Sequence, residues 1–136
     1  MSAPASTVEL RVRYGETDQM GIVYHPNYLV WCEMGRTELM RELGAAYCDI
    51  EAAGVRLAVA EATVRYIAPA RYDERILVST TLTELGSRGV TFDYVISHAD
   101  SGTRLATART KLIAIDGRGR VTALPREVRD SLGKRA

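Results

Sequence analysis

Strand-like alternation of apolar residues fills the second half of this sequence and limits the folds open to the chain. It is clearest from Val90 to Ile96, where every second residue is apolar, as in a half-buried strand. Glycine-bearing connections at 86–89 and 100–102 favour antiparallel hairpins between neighbouring strands. The pattern predicts four strands, at 56–67, 75–85, 90–98 and 103–115.

A further strand and one long helix precede this region. From Val8 to Tyr14, apolar residues alternate with charged ones, which predicts the first strand of the sheet. Pro26 and Asn27 indicate a helix start, because proline gives up no needed amide donor there and asparagine is a good N-cap. Gly44 is the expected end of this helix.

The start of the long helix is apolar on nearly every side. Residues 28–32 carry this character, so we expect that end of the helix to be buried on several sides. A shorter helix is expected at 45–53, and Pro125 predicts the start of a last one. The charged residues of the long helix are expected on faces away from its apolar stripe: Glu33, Arg36, Glu38 and Arg41.

These elements predict an α+β fold, with a five-stranded antiparallel sheet wrapped around one long central helix. The 136 residues suffice for one domain, 1–136, and leave no room for a second. We expect its ends, 1–6 and 134–136, to be flexible. Because one helix covers only one face of so apolar a sheet, we expect a second copy of the chain to cover the rest in a homodimer.

Composition argues against several kinds of partner. A net charge of +1 without runs of like charge offers no broad basic surface for nucleic acid. No apolar run approaches the roughly 20 residues that cross a bilayer, and the start resembles no signal peptide, so we expect a cytoplasmic protein without a membrane span. Since His25 and His98 lack ligand-like spacing to carboxylates or thiols, we expect no metal and no cofactor.

The most informative segment is a polar string between the first strand and the long helix. It has Asp18, then Gly21-Ile22-Val23 after two residues, then Pro26-Asn27-Tyr28 after two more. This pattern resembles the 4-hydroxybenzoyl-CoA thioesterase branch of the hotdog proteins, which includes the YbgC-like acyl-CoA thioesterases. The similarity continues through 69–73 and covers nearly the whole chain. It implies the hotdog fold, hydrolysis of an acyl-coenzyme A, and pairing of dimers into a homotetramer.

The chemistry of this segment centres on Asp18 and the helix start. Thioester hydrolysis needs a base or nucleophile near the carbonyl carbon and donors aimed at the developing oxyanion. A turn at Gly21 can set the Asp18 carboxylate close to backbone amides near Tyr24 and His25, which the positive end of the helix strengthens. The resemblance implies that Asp18 attacks the carbonyl or activates water, and that the amide of Tyr24 polarises the thioester.

Three further residues are expected at the site. The resemblance to YbgC-like proteins implies that His25 orients the thioester or a water molecule. Asn27, at the helix start, is an expected substrate-binding residue. Arg88, in the turn at 86–89, matches a basic cluster that binds the nucleotide in the hydroxybenzoyl branch, and arginine suits the phosphates of coenzyme A.

Other interpretations of these residues stay open. Asp18 can cap a turn, and His25 is by default a helix-entry residue. Glu33 is a second candidate base, since another branch of hotdog thioesterases places its carboxylate on the helix, although salt bridging is the commoner role of a helix glutamate. Cys32 follows the apolar stripe and is expected to pack rather than react.

Two other functions are compatible with the fold. A hotdog hydratase or dehydratase typically pairs an aspartate with a histidine five residues later, but Val23 occupies that position. A non-catalytic acyl-CoA-binding module would keep the cleft without the reactive carboxylate, and the presence of Asp18 argues against it. The sequence leaves open which acyl group is hydrolysed, and whether Asp18 is nucleophile or base.

Overall fold

A computed structural model describes residues 3–133, and its main layer is a five-stranded antiparallel sheet. The elements in chain order are β1 (Ala5–Arg11), α1 (Asn27–Glu42), α2 (Tyr47–Ala52), β2 (Arg56–Tyr66), β3 (Arg75–Leu85), β4 (Gly89–His98), β5 (Arg104–Ile115) and α3 (Arg126–Leu132). The strand order is β1-β3-β4-β5-β2, so β1 and β2 are the edges. Of the ends expected to be flexible, Ala5 and Ser6 belong to β1, while 1–2 and 134–136 lie outside the described residues.

The expected α+β class and its five-stranded antiparallel sheet are confirmed. β3 has the predicted bounds, while β4 and β5 each begin one residue away from their predicted starts. Helix α1 begins at Asn27, as the proline and asparagine indicate, and ends two residues before Gly44. The two short helices, α2 and α3, fall where the sequence predicts them. Periodicity and turn residues therefore locate these elements well.

The first strand is the exception, because β1 spans Ala5–Arg11 rather than the predicted Val8–Tyr14. Beyond its end the chain leaves the sheet for a short 3₁₀ turn, and Tyr14 is 76% exposed. The apolar alternation runs past the strand because Val12 is still buried, with its amide donating to the Glu74 carbonyl at 2.9 Å. Alternation alone therefore cannot mark the end of this strand.

Helix α1 packs across β1 and β3 and covers part of one face of the sheet. Gly35 permits a close approach, because a β-carbon there would collide with Oγ1 of Thr80 and lie 3.0 Å from Cγ1 of Val78. Burial of a large apolar side chain in this layer stabilises the fold by roughly 1.5–3 kcal/mol. The buried face of the helix comprises Tyr28, Trp31, Cys32, Gly35, Arg36, Leu39 and Met40.

Arg36 lies on this buried face, and the prediction that it points away from the apolar stripe is wrong. It is 5% exposed, and its Nη1 donates to the Tyr94 hydroxyl at 3.4 Å. The same hydroxyl shares a 2.6 Å hydrogen bond with Oγ1 of Thr110. Arg36 lies four residues after Cys32 and four before Met40, so helical spacing places it on the buried face despite its charge.

Part of the apolar surface stays uncovered in a single chain. Leu29, Val30 and Met34 of α1 are 36%, 44% and 47% exposed, so the helix start is buried on its inner face and not on several sides. Val59 and Tyr66 of the edge strand β2 are 50% and 46% exposed. Apolar surface of this kind beside an unpaired strand edge is typical of an interaction surface.

Gly35→Ala is expected to destabilise the protein by about 2 kcal/mol, because the added methyl group overpacks the contact between α1 and β3. Urea unfolding of the wild type and the variant measures the difference. Gly15→Ala is the control, since a β-carbon at Gly15 meets nothing within 4 Å. An equal loss of unfolding free energy in both variants would contradict the close contact between Gly35 and β3.

Candidate functional site

The segment between β1 and α1 folds back in a tight hairpin that carries Asp18. The Asp18 amide donates to the Ile22 carbonyl at 2.9 Å, and the Gly21 amide donates to the Asp18 carbonyl at 2.9 Å. Gly21 has a φ of 78°, a left-handed conformation that glycine adopts without strain. Oδ1 of the half-buried Asp18 accepts a hydrogen bond from the Met20 amide at 2.9 Å. The turn expected at Gly21 is therefore present.

A buried carboxylate, that of Glu16, joins this hairpin to the helix. Glu16 is 5% exposed, and its carboxylate accepts hydrogen bonds from the Arg13 amide at 2.8 Å and from Nε1 of Trp31 at 3.0 Å. Its backbone carbonyl accepts two more, from the Tyr24 amide at 2.8 Å and from Nδ2 of Asn27 at 3.0 Å. Glu16 thus ties both ends of the loop to the first turns of α1.

The surroundings of Glu16 keep its carboxylate ionised. Burial raises the pKa of this group, but hydrogen bonds from the Arg13 amide, from Trp31 and from the Arg13 side chain, together with the charge of Arg13, outweigh burial and hold the pKa below its ordinary value of 4.5. The ionised Glu16 carboxylate therefore stabilises the folded state fully at neutral pH, and this contribution is lost as the pH falls through the folded-state pKa. Sequence reasoning missed this residue, because nothing in a polar loop marks one carboxylate as buried.

The amide assigned to the oxyanion site from the sequence is engaged elsewhere. The Tyr24 N–H donates to the Glu16 carbonyl at 2.8 Å, so in this structure it is not free to donate to a substrate oxygen, as the assignment from the sequence requires. The next amide, that of His25, donates to no acceptor among residues 3–133. It stands just before α1, near the positive end of the helix. The free donor at the helix start is the His25 amide.

An apolar cleft of about 370 Å³ opens beside His25. Its walls are Ile22 and Val23 of the hairpin, Tyr28 of α1, and residues 66–69 at the end of β2. Asp18 does not line this cleft, although it lies on the hairpin that forms one wall. The cleft has the size and apolar lining of a small-molecule pocket, and it adjoins the free amide.

Of the two residues expected to bind substrate, one lies beside the Asp18 hairpin and the other lies far from it. Asn27 donates its side-chain amide to the Glu16 carbonyl at 3.0 Å and so holds the loop beside the site. Arg88 is exposed in the turn between β3 and β4. β3 starts beside Arg11, where the Asp18 loop leaves the sheet, so Arg88 lies a whole strand away, on the order of 30 Å. A single chain does not bring Arg88 to Asp18.

Within one chain, neither of the alternative reactive groups on α1 lines the cleft beside His25. Glu33 is exposed and lies outside the walls of the cleft beside His25. Cys32 is fully buried, and burial raises the pKa of its thiol to about 12. A thiol with that pKa is not a thiolate at neutral pH, which agrees with the packing role expected for it.

Two observations concern the described residues, 3–133, as a whole. None of their helices combines the length and the apolar character that a membrane-spanning helix needs. Nor does this part of the chain bring together three or more histidine, cysteine, aspartate or glutamate side chains that could hold a metal ion.

The sequence is similar to those of one superfamily. Residues 12–132 match the model of the thioesterase-like superfamily. The putative acyl-CoA thioesterase YneP of Bacillus subtilis (strain 168) is 40% identical over 111 residues, covering 82% of this chain and 80% of YneP. The acyl-CoA thioester hydrolase YbgC of Escherichia coli O6:H1 is 32% identical over 120 residues, covering 88% of this chain and 89% of YbgC. The resemblance based on the motif around Asp18 is confirmed.

A solved structure supports the same relationship. The DHNA-CoA thioesterase from Staphylococcus aureus superimposes with a TM-score of 0.90 at 30% sequence identity. The match covers 96% of this chain and 89% of that protein. The sheet and helices described above are thus shared along almost the full length of both chains.

Glu16→Gln is expected to lower stability at pH 7 by about 1–3 kcal/mol, because an amide cannot accept all the donors around this position and leaves one buried donor unpaired. Urea unfolding measures the loss. Glu61→Gln is the matched control, since Glu61 is exposed and 3.8 Å from Lys111, a surface pair worth little. The difference in unfolding free energy between the wild type and Glu16→Gln should shrink in acid, because the wild-type carboxylate is then protonated. A difference that does not change with pH would contradict the role of the charge.

Proposed function

This chain belongs to the thioesterase-like superfamily, and we propose that it hydrolyses an acyl-coenzyme A to the free acid and coenzyme A, with Asp18 as base or nucleophile. One observation carries the proposal: a single hairpin, tied to α1 by Glu16, holds both Asp18 and the free amide of His25. The names of YneP and YbgC support an acyl-CoA as the thioester. The activity is that of a thioester hydrolase.

The His25 amide is the proposed oxyanion donor. It is free among the described residues, and the positive end of α1 favours negative charge beside it. A preorganised donor of this kind contributes most where charge develops in the transition state. In this proposal the thioester carbonyl oxygen points at the amide, and the apolar part of the substrate occupies the cleft. The exposed imidazole of His25 orients the thioester or the attacking water.

Asp18 supplies the reactive carboxylate by one of two routes. As a base it takes a proton from water while the water oxygen attacks the carbonyl carbon. As a nucleophile it attacks the carbon itself, forming an anhydride that water then opens. In both routes the carbon–sulfur bond breaks and coenzyme A leaves as a thiolate. Only Oδ1 of Asp18 is engaged by the Met20 amide, which leaves Oδ2 available.

A second copy of the chain completes the site in this proposal. Because Arg88 is a strand length away from Asp18 of the same chain, we assign the phosphates of a coenzyme A bound there to Arg88 of another copy. The exposed edge strand β2 and the apolar outer face of α1 offer surfaces for that copy. We propose a homodimer, pairing further into a homotetramer, and a cytoplasmic location.

Asp18→Asn tests the chemistry, because it keeps the shape of the side chain and removes its charge. Release of free thiol from short, long and aromatic acyl-CoAs is expected to fall by about a hundredfold or more, some 2.7 kcal/mol of barrier. Asp49→Asn, at an exposed position of α2, is the control and should leave turnover unchanged. Unchanged turnover in Asp18→Asn would remove this carboxylate from the mechanism. Binding without turnover in the wild type would favour an acyl-CoA-binding module.

Sedimentation equilibrium tests the assembly. The mass should be two or four times the 15.0 kDa of the chain, because burial of the exposed apolar surface on α1 and β2 favours association. Val30→Glu should weaken association by placing a charge in that surface, whereas Asp49→Asn, at an exposed position of α2 outside it, should not. A monomeric wild type at micromolar concentration would contradict the proposal.

A further inference from the structure

The hydroxyl group of Tyr66 makes a contact that the proposed chemistry does not yet use. Tyr66 is the last residue of β2, and its hydroxyl donates to the backbone carbonyl of His25 at 2.8 Å. Its ring stands edge-on to that of Tyr28, with centroids 5.1 Å apart and planes at 90°. A side chain of the sheet edge thus reaches the peptide that follows the free amide.

The carbonyl of His25 is otherwise weakly held. The amide of Tyr28 also donates to it, but at 3.3 Å, the long end of the range for such bonds. Helix geometry alone therefore fixes this carbonyl poorly. The shorter bond from Tyr66 is the stronger of the two restraints.

Fixing the carbonyl groups around His25 also fixes its amide. The Tyr24 carbonyl, on the preceding peptide, accepts the Asn27 amide at 3.0 Å. The His25 carbonyl, on the following peptide, accepts the Tyr66 hydroxyl. Because each peptide group is planar and only φ and ψ of His25 lie between them, restraint of both peptides sets the direction of the His25 N–H.

We propose that Tyr66 is a positioning residue that aims the His25 amide at the thioester carbonyl. This role rests on the proposed function of that amide. The residue belongs to the walls of the cleft, so it lies where the acyl thioester is held. Burial, followed by proximity to Cys32, raises the pKa of the Tyr66 hydroxyl, which stays protonated and able to donate at neutral pH.

Tyr66→Phe isolates the hydroxyl, because the ring and its edge contact with Tyr28 remain. We expect kcat for the preferred acyl-CoA to fall about tenfold with KM within twofold, since the interaction matters most as charge develops on the oxygen. Tyr72→Phe is the matched control, because Tyr72 is exposed and its hydroxyl makes no hydrogen bond within residues 3–133; it should leave kcat unchanged. An unchanged kcat in Tyr66→Phe would overturn the proposal.

Binding of two stable analogues distinguishes an effect of Tyr66 on the direction of the His25 amide from a general effect on the stability of the fold. One analogue replaces the thioester sulfur with a methylene group and keeps the carbonyl, and the other is a thioether without the carbonyl. Calorimetry should show that the wild type prefers the carbonyl analogue, and that Tyr66→Phe reduces this preference about threefold or more while thioether affinity is kept. Equal loss for both analogues, or no preference in the wild type, would overturn the role.

The same measurements distinguish this proposal from the function on which it rests. A wild type that prefers the carbonyl analogue but hydrolyses no acyl-CoA would defeat the proposed catalysis and leave the aiming role supported by binding. A wild type that hydrolyses acyl-CoA, with Tyr66→Phe equal to it in kcat and in analogue preference, would defeat the aiming role alone.

Discussion

The site depends on the burial of one ionised carboxylate, that of Glu16. Removing such a group from water costs several kcal/mol unless donors replace the water, and here Arg13 and Trp31 provide them. The dependence is mutual, because the indole N–H of Trp31, a residue only 1% exposed, needs an acceptor inside the protein. The hairpin and the helix therefore satisfy each other's polar groups, and the loss of either partner leaves a buried polar group of the other unpaired.

Backbone groups rather than side chains define the donor side of the site. The amides of Asn27, Tyr28 and Leu29, which an ordinary helix start leaves free, all donate to carbonyls in the preceding turn. Pro26 has no N–H, and the Tyr24 amide is taken by Glu16. The His25 amide remains because every neighbour is engaged or lacks a hydrogen. In the proposed function, this one free donor at the positive end of the helix fixes where the thioester oxygen binds.

Local patterns in the sequence are enough to predict the sheet, the long helix and the loop that carries Asp18. They do not predict the position of a residue whose partner is far along the chain. Alternation could not show that Tyr14 turns away from β3. Nor could the sequence show that Arg36, although charged, finds the distant Tyr94 hydroxyl as a partner on the buried face of the helix. Glu16 and Tyr66 look ordinary in sequence, because their roles come from contacts with Trp31 and His25 that only the folded chain creates.

In the proposed function, one chain holds only part of the coenzyme A site, and the antiparallel sheet explains why. β3 runs from the Asp18 loop to the turn that carries Arg88, so the Asp18 carboxylate and this arginine lie at opposite ends of the same layer. No rearrangement of loops closes a gap of a strand length. In the proposed homodimer, a two-fold partner reverses the strand direction and can bring the far end of its own sheet toward the near end of the first. The separation within the chain and the exposed apolar surfaces both favour that proposal.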